Sequence, residues 1–205
     1  MITHLFIDWH NTLSTDTFWF PWKNITHSHH KLLEPLQRIL FVEKKELLND
    51  WMRGLHSSES VCEILGEILT VDTSIIFEGL KESCKLITFA HSDIPKLLVD
   101  IRKKGIQTIS ATDNMDTFMR FTIHALEAEK LFDAFLISSE IGHLKSDRDT
   151  HGSRPFFSSY HHQLKNSAFI DDCAHKFIDL IENGLVVHQV RSTAETVDIL
   201  KHYAS

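Results

Sequence analysis

Cysteine is scarce in this sequence. The three present, Cys62, Cys84 and Cys173, are odd in number and lack metal-ligand spacing, so neither a disulfide framework nor a structural zinc site is implied and reduced thiols are expected. Glycine and proline are also few, seven and four among 205 residues, which excludes a linker-like or low-complexity chain. There is no basic excess. Lys and Arg number 21 against 28 Asp and Glu, and a net charge of -7 argues against a phosphate-neutralising nucleic-acid surface. Long apolar runs are missing too. No stretch approaches the roughly 18 residues of a membrane span, and Asp8 and His10 interrupt the place where a signal peptide needs its apolar core. A folded cytoplasmic protein without nucleic-acid or membrane partners is expected. The sequence is silent on oligomeric state.

What is present is a change of period along the chain. Leu5 to Ile7 is a short apolar run that stops at Asp8, the pattern of a buried parallel strand. From Lys31 to about Ile87 apolar residues recur at helical spacing, first Leu32, Leu36, Ile39 and Leu40, then Leu47, Leu48, Trp51 and Leu55. Two further helices carry Val61, Ile64, Leu65 and Ile68, then Ile76, Leu80 and Cys84. After Ser92-Asp93, which reads as a helix cap, strands and helices alternate. The strands are Ile106 to Ala111, Ala134 to Ile137, Ala168 to Ile170 and Leu185 to Val190. Helices are predicted near residues 114–130, 154–165, 173–183 and 192–203, the last opened by a Ser192 and Glu195 capping box. The fold class is therefore α/β: a doubly wound, Rossmann-like parallel sheet core of residues 1–14 and 91–205, with an inserted all-helical cap at 15–90.

Ligands of such sheets bind outside the carboxyl ends of the strands. The residues there are Asp8, Thr112, Lys145 and the pair Asp171-Asp172, with Ser110 replacing Thr112 if the register of that strand is shifted. Three carboxylates at one sheet edge repel one another, which a divalent cation relieves, and hard oxygen donors favour Mg²⁺ over zinc. Each residue alone has a plainer reading: a turn carboxylate, a β-branched strand end, a surface lysine, a helix cap.

Taken in order, these segments resemble the four motifs of the haloacid dehalogenase superfamily, in the branch with a helical C1-type cap. The first is Leu5-Phe6-Ile7-Asp8-Trp9-His10-Asn11-Thr12-Leu13, against the Asp-x-Asp-Gly-Thr of phosphatase members. Thr112 matches the second motif, Lys145 in Gly142-His143-Leu144-Lys145-Ser146-Asp147 the third, and Ala168-Phe169-Ile170-Asp171-Asp172 the fourth. The resemblance implies a magnesium-dependent phosphatase-type hydrolase acting on a small phosphorylated metabolite through an aspartyl-phosphate. Asp8 would be the nucleophile, Thr112 and Lys145 would hold the phosphoryl group, and Asp8, Asp171, Asp172 and the backbone carbonyl of His10 would bind Mg²⁺. His10 stands where these enzymes have the acid/base Asp, so it would have to exchange the protons, and otherwise the chain would bind without turnover. Asn11 replaces the family Gly at a position where positive φ is expected, which Asn tolerates.

Two other branches also lack that Asp. Asp8-Trp9 is similar to the Asp-Trp-Ala-Gly-Thr of phosphonoacetaldehyde hydrolases, whose cap supplies a Schiff-base lysine, for which Lys44 and Lys45 are candidates. Dehalogenases put an aromatic residue at the His10 position and need no metal. Phe18-Trp19-Phe20-Pro21-Trp22 could line a substrate pocket, although packing of cap on core explains it somewhat better. His27, His29, His30 and the pair His161-His162 read as solvated histidines.

Overall fold

The computed structural model describes the backbone of all 205 residues and every side chain except those of Ala174 and His175. Five parallel strands form one sheet in the order β3-β2-β1-β4-β5: β1 His4–Ile7, β2 Gln107–Thr112, β3 Ala134–Ile137, β4 Ser167–Asp171 and β5 Val186–Gln189. The chain winds outward from β1 to β3 on one side, then returns to place β4 on the other side of β1. The reversal leaves a crevice at the carboxyl ends of β1 and β4, the usual ligand position in such sheets. Ile7 pairs with both Ser110 and Ile170, so the residues just beyond these strands meet at one edge.

Four helices follow β1: α1 His30–Arg38, α2 Lys45–Met52, α3 Ser58–Leu69 and α4 Thr73–Leu86. A π-helical turn, Ile39–Glu43, joins the first two. Their apolar faces close on a cluster that includes Trp19, Trp22, Leu36, Trp51, Val61 and Leu80. Trp19 and Trp22 of the aromatic run are thus buried in this cluster, and the Trp19 indole donates to Ile76 O at 2.8 Å. The next helix, α5 Ile94–Lys103, packs under one face of the sheet with the last, α9 Thr193–Ala204. There Leu98, Ile101, Val197 and Leu200 meet Leu5, Ile7 and Ile170. On the opposite face Phe6, Phe156, Phe157 and Phe169 form the second half of the core, several of them edge to face.

Three local expectations are corrected. Residues 154–165 form two 3-10 segments, Pro155–Tyr160 and Leu164–Asn166, in place of an α-helix. The stretch is rich in Ser and His, poor helix formers, and it is held by burial of Phe156 and Phe157 instead. The helix near 114–130 is broken into a π-helical turn at Phe118–Thr122, the single turn α6 Ile123–Ala125 and a 3-10 turn at Ala128–Lys130, with Glu127 at φ 50° dividing them. Asp93 precedes α5, but its side chain makes no cap bond because its backbone is already helical. Ser192 does cap α9, accepting from the Glu195 N–H at 3.3 Å. The remaining helices are α7 Ser138–Ile141 and α8 Ile178–Glu182. Among the described residues no helix is long and apolar enough to cross a membrane, and all three cysteines are free thiols.

Candidate active site

The site forms because apolar strands end on polar residues. The amide of Asp8 still bonds to Ile170 O at 2.9 Å, holding the carboxylate in line with β4. The chain then turns sharply: the Leu13 and Ser14 amides both return to Trp9 O, and Asn11 takes φ 56°, the left-handed region that its short amide tolerates. Asn11 Nδ2 also donates to Asp172 Oδ2 at 3.1 Å, tying the first loop to the last motif.

Lys145 is the centre of the charge network. Its ammonium contacts Asp8 Oδ1 at 2.8 Å and Asp171 Oδ2 at 2.7 Å, with all three side chains almost fully buried, and stands over the Phe169 ring at 5.4 Å. Burial alone would lower the Lys145 pKa. The adjacent carboxylates of Asp8, Asp171 and Asp113 more than reverse that, so the ammonium stays charged. Burial pushes the Asp8 carboxyl up from its ordinary range, with Lys145 opposing and Asp171 reinforcing the shift. Asp113 is likewise raised by burial.

Backbone contacts fix where Lys145 stands. Its N–H donates to Asp113 Oδ1 at 2.8 Å, and its carbonyl accepts from Arg154 Nη1 at 2.7 Å. Two residues on, Asp147 accepts from the Leu144 amide and takes a bidentate pair of bonds from Arg53, both at 2.8 Å. Arg53 closes α2, so this pair joins cap to core. Gly54 beside it has φ +73°, and a Cβ there would stand 2.2 Å from Ser139 O.

Two cavities meet at this edge. The first, about 140 Å³, is charged and lined by Asp8, Thr112, Lys145, Asp171, Asp172 and Lys176. The second, about 170 Å³, lies between cap and sheet and is walled mainly by Trp9, Phe18, Phe41, Leu48, Met52 and Phe118. His10 and Asp113 line both. Crowding lowers the His10 pKa below the ordinary imidazole value against the pull of Asp172, although the residue as a whole remains solvent-accessible.

The sequence-designated residues Asp8, His10, Thr112, Lys145, Asp171 and Asp172 therefore line one cavity. Ser110 lies two residues back inside β2 and is fully buried. Lys44 and Lys45 are exposed and line neither cavity, and of the aromatic run only Phe18 reaches the site. His30 bonds to Trp22 O at 2.8 Å, and the rings of His27 and His29 pack on Trp22. Asp113, Arg53 and Arg154 were not singled out by sequence reasoning. Asp113 could have been, as the acid next to Thr112. Neither arginine carries a local signal.

The donor set fits a hard cation only in part as expected. Asp8 and Asp172 offer carboxylate oxygens to the same pocket. Asp171 is already engaged on both oxygens, one by Lys145 and the other by the Cys173 amide at 2.7 Å, which suits a residue that orients the lysine. Oxygen and sulfur atoms of Asp171, Asp172 and Cys173 lie within 4.8 Å of one another. Burial and Asp172 raise the Cys173 pKa, so the thiol stays protonated and the set remains one of hard oxygens suited to Mg²⁺.

No family model matches the sequence, and no curated protein matches it. Solved structures do. The structure of a predicted HAD-like family hydrolase from Porphyromonas gingivalis superposes with a TM-score of 0.70 at 12% identity, over 98% of this chain and 97% of that one. A HAD family enzyme from Bacteroides thetaiotaomicron, in complex with magnesium and inorganic phosphate, gives 0.66 at 14% identity over 94% and 96%. L-2-haloacid dehalogenase from Xanthobacter autotrophicus, with chloropropionic acid covalently bound, gives 0.62 at 14% identity over 93% and 78%. The chain has the haloacid dehalogenase fold.

Proposed function

We propose that this chain, on its haloacid dehalogenase fold, is a magnesium-dependent hydrolase of a small phosphate monoester, with Asp8 as nucleophile. One observation carries the reading most. A buried carboxylate at the sheet's switch point is paired with a buried ammonium inside a charged pocket that shares His10 and Asp113 with the neighbouring chamber under the cap.

Each residue then has a role. An Asp8 oxygen attacks phosphorus and the ester P–O bond breaks, leaving an aspartyl-phosphate and an alkoxide. His10, which lines both cavities, would in its imidazolium form give the alkoxide its proton and be left as the neutral imidazole. The neutral imidazole then takes a proton from water, which attacks phosphorus and frees Asp8 and inorganic phosphate. The depressed His10 pKa suits the second half-reaction. Lys145 reduces repulsion between Asp8 and the incoming dianion, and Thr112 offers a hydroxyl to a phosphoryl oxygen. Mg²⁺, held by Asp8, Asp172 and the His10 carbonyl, would neutralise phosphoryl charge when bound. Asp171 acts through Lys145 as a positioning residue.

The test is turnover of 4-nitrophenyl phosphate with and without Mg²⁺ by wild type, Asp8→Asn and His10→Ala. Expected are metal-dependent hydrolysis, none by Asp8→Asn, and a loss of about 10²-fold or more by His10→Ala. Turnover by Asp8→Asn at the wild-type rate would overturn covalent attack. Tight phosphate and Mg²⁺ binding without turnover would identify a binding protein instead.

A further inference from the structure

The first half-reaction needs a proton at the leaving oxygen, and crowding around His10 favours the imidazole without one. His10 is thereby better suited to taking a proton from water than to giving one. Among the described residues only His10 and Asp113 line both cavities at the sheet edge. An ester with its phosphoryl group beside Asp8 and its alcohol portion under the cap places the leaving oxygen beside these two residues.

Asp113 directly follows Thr112, the last residue of β2, and the Lys145 loop fixes its carboxyl group. Its Oδ1 accepts from the Lys145 N–H at 2.8 Å. Its Oδ2 takes no hydrogen bond among the described residues, and unlike the Trp9 indole nitrogen it is not sealed from solvent. A protonated carboxyl has one accepting oxygen and one O–H donor. The bond from Lys145 gives the accepting role to Oδ1, which leaves the proton on the solvent-open oxygen.

The surrounding charge favours that form. The first cavity already holds Asp8, Asp171 and Asp172 against Lys145 and Lys176, and a further carboxylate would repel an incoming phosphate dianion. Burial raises the Asp113 pKa, with Lys145 and then Lys176 opposing and Asp171 adding to the shift. A carboxyl shifted up beside an imidazole shifted down divides acid from base work at one pH.

Resting on the phosphoester reading and refining its first half-reaction, we propose that Asp113, in place of His10, is the general acid, giving the proton on Oδ2 to the leaving oxygen as the ester P–O bond breaks. That step yields the alcohol, the aspartyl-phosphate on Asp8 and the Asp113 carboxylate. His10 then takes a proton from the attacking water, the acyl-phosphate P–O bond breaks, and inorganic phosphate leaves. The imidazolium loses its proton to solvent and Asp113 regains one, so the balance is ester and water to alcohol and phosphate.

The experiment measures kcat/KM for benzyl phosphate, whose alkoxide needs a proton to leave, and for 4-nitrophenyl phosphate, whose phenolate departs without one. This parameter covers the steps up to departure of the alcohol, so a defect in water attack does not enter it. The ratio of benzyl to 4-nitrophenyl ester is compared among wild type, Asp113→Asn and His10→Ala. Asparagine keeps an oxygen to accept from Lys145 but has no acidic proton. The ratio should fall about 10²-fold in Asp113→Asn, the contribution of a general acid, and stay near the wild-type value in His10→Ala. Because each ratio is taken within one protein, lost folding or a displaced Lys145 slows both esters and cancels. An unchanged ratio in Asp113→Asn, or an equal fall in His10→Ala, would overturn the proposal and leave the phosphoester reading standing. If wild type turns over neither ester, the phosphoester reading falls and the proposal with it.

Discussion

Removing Arg53 should loosen the cap from the loop that carries Lys145, and the size of the effect can be worked from the contact. Arg53 gives Asp147 two bonds of 2.8 Å, with side chains 27% and 21% exposed. Hydrogen bonds to charged groups contribute about 1.5–3 kcal/mol, while well-exposed ion pairs contribute about 0–1, so this partly screened pair is worth about 1–2 kcal/mol. In a chain of this length that is a fall in Tm of about 5 °C. A double-mutant cycle of Arg53→Ala and Asp147→Asn isolates the pair term, because Asp147 also accepts from the Leu144 amide and its own removal costs more. The hydrogen bond from Arg53 holds the Asp147 carboxyl below its ordinary range. A depressed carboxylate stabilises the fold above its unfolded pKa of about 3.9, and that stabilisation is lost as pH falls through the folded value. The coupling should therefore be flat from pH 7 to 5 and shrink below pH 4. Urea melts across this range measure it. A coupling near zero at pH 7, or one unchanged at pH 3.5, would refute the reasoning.

Two other perturbations test the site and its frame. Lys145→Met leaves Asp8 and Asp171 buried without their cation and should cost about 3–5 kcal/mol. In EDTA both proteins should gain stability as pH falls from 7 to 5, wild type because burial already raises Asp8 and Asp113, and the variant by a larger amount because its carboxyls have lost the cation that opposes that shift. Gly54→Ala and Gly105→Ala both place a side chain at positive φ, but only Gly54 faces backbone, Ser139 O, while nothing lies within 4 Å of the Gly105 position. Gly105→Ala should cost about 1–2 kcal/mol and Gly54→Ala clearly more, which equilibrium unfolding can compare. Equal losses would show that the close approach of α2's end to the core is not maintained.

The strand ends were legible because burial on both faces of a parallel sheet demands apolar runs, and Asp8, Thr112 and Asp171 each stop one. Helical period exposed the cap for the same reason, since Leu36, Leu48, Leu65 and Leu80 all close on one cluster. The short helices were not legible. Between residues 114 and 166 the backbone follows the burial of Phe118, Phe156 and Phe157 into 3-10 and π-helical turns, and local propensity does not encode that. Arg53 and Arg154 could not be found either, because their partners, 94 and 25 residues away, are set by how cap and loops dock. The double engagement of Asp171 was hidden as well. A pair of acids looks the same in sequence whether both face a metal or one orients a lysine.

Arg154 is the sharper test of how the ammonium partner of Asp8 is held. It is 7% exposed, and its planar fork reaches three elements at once: the Lys145 carbonyl, the Lys176 carbonyl and the Asp179 carboxylate at 2.9 and 2.7 Å. Residues 143–154 contain no regular helix or strand, so the Lys145 loop depends on such contacts for its position. A lysine at 154 would keep the charge but has one nitrogen, and it cannot serve two carbonyls and a carboxylate lying in different directions. Arg154→Lys should therefore cost about 2–4 kcal/mol in urea unfolding, since buried acceptors lose their donor. It should also lower kcat more than KM changes, because Lys145 is displaced relative to Asp8 without removal of any group that contacts substrate. If Arg154→Lys matched wild type in both stability and kcat, charge at this position would be sufficient and the carbonyl of Lys145 would not need its donor.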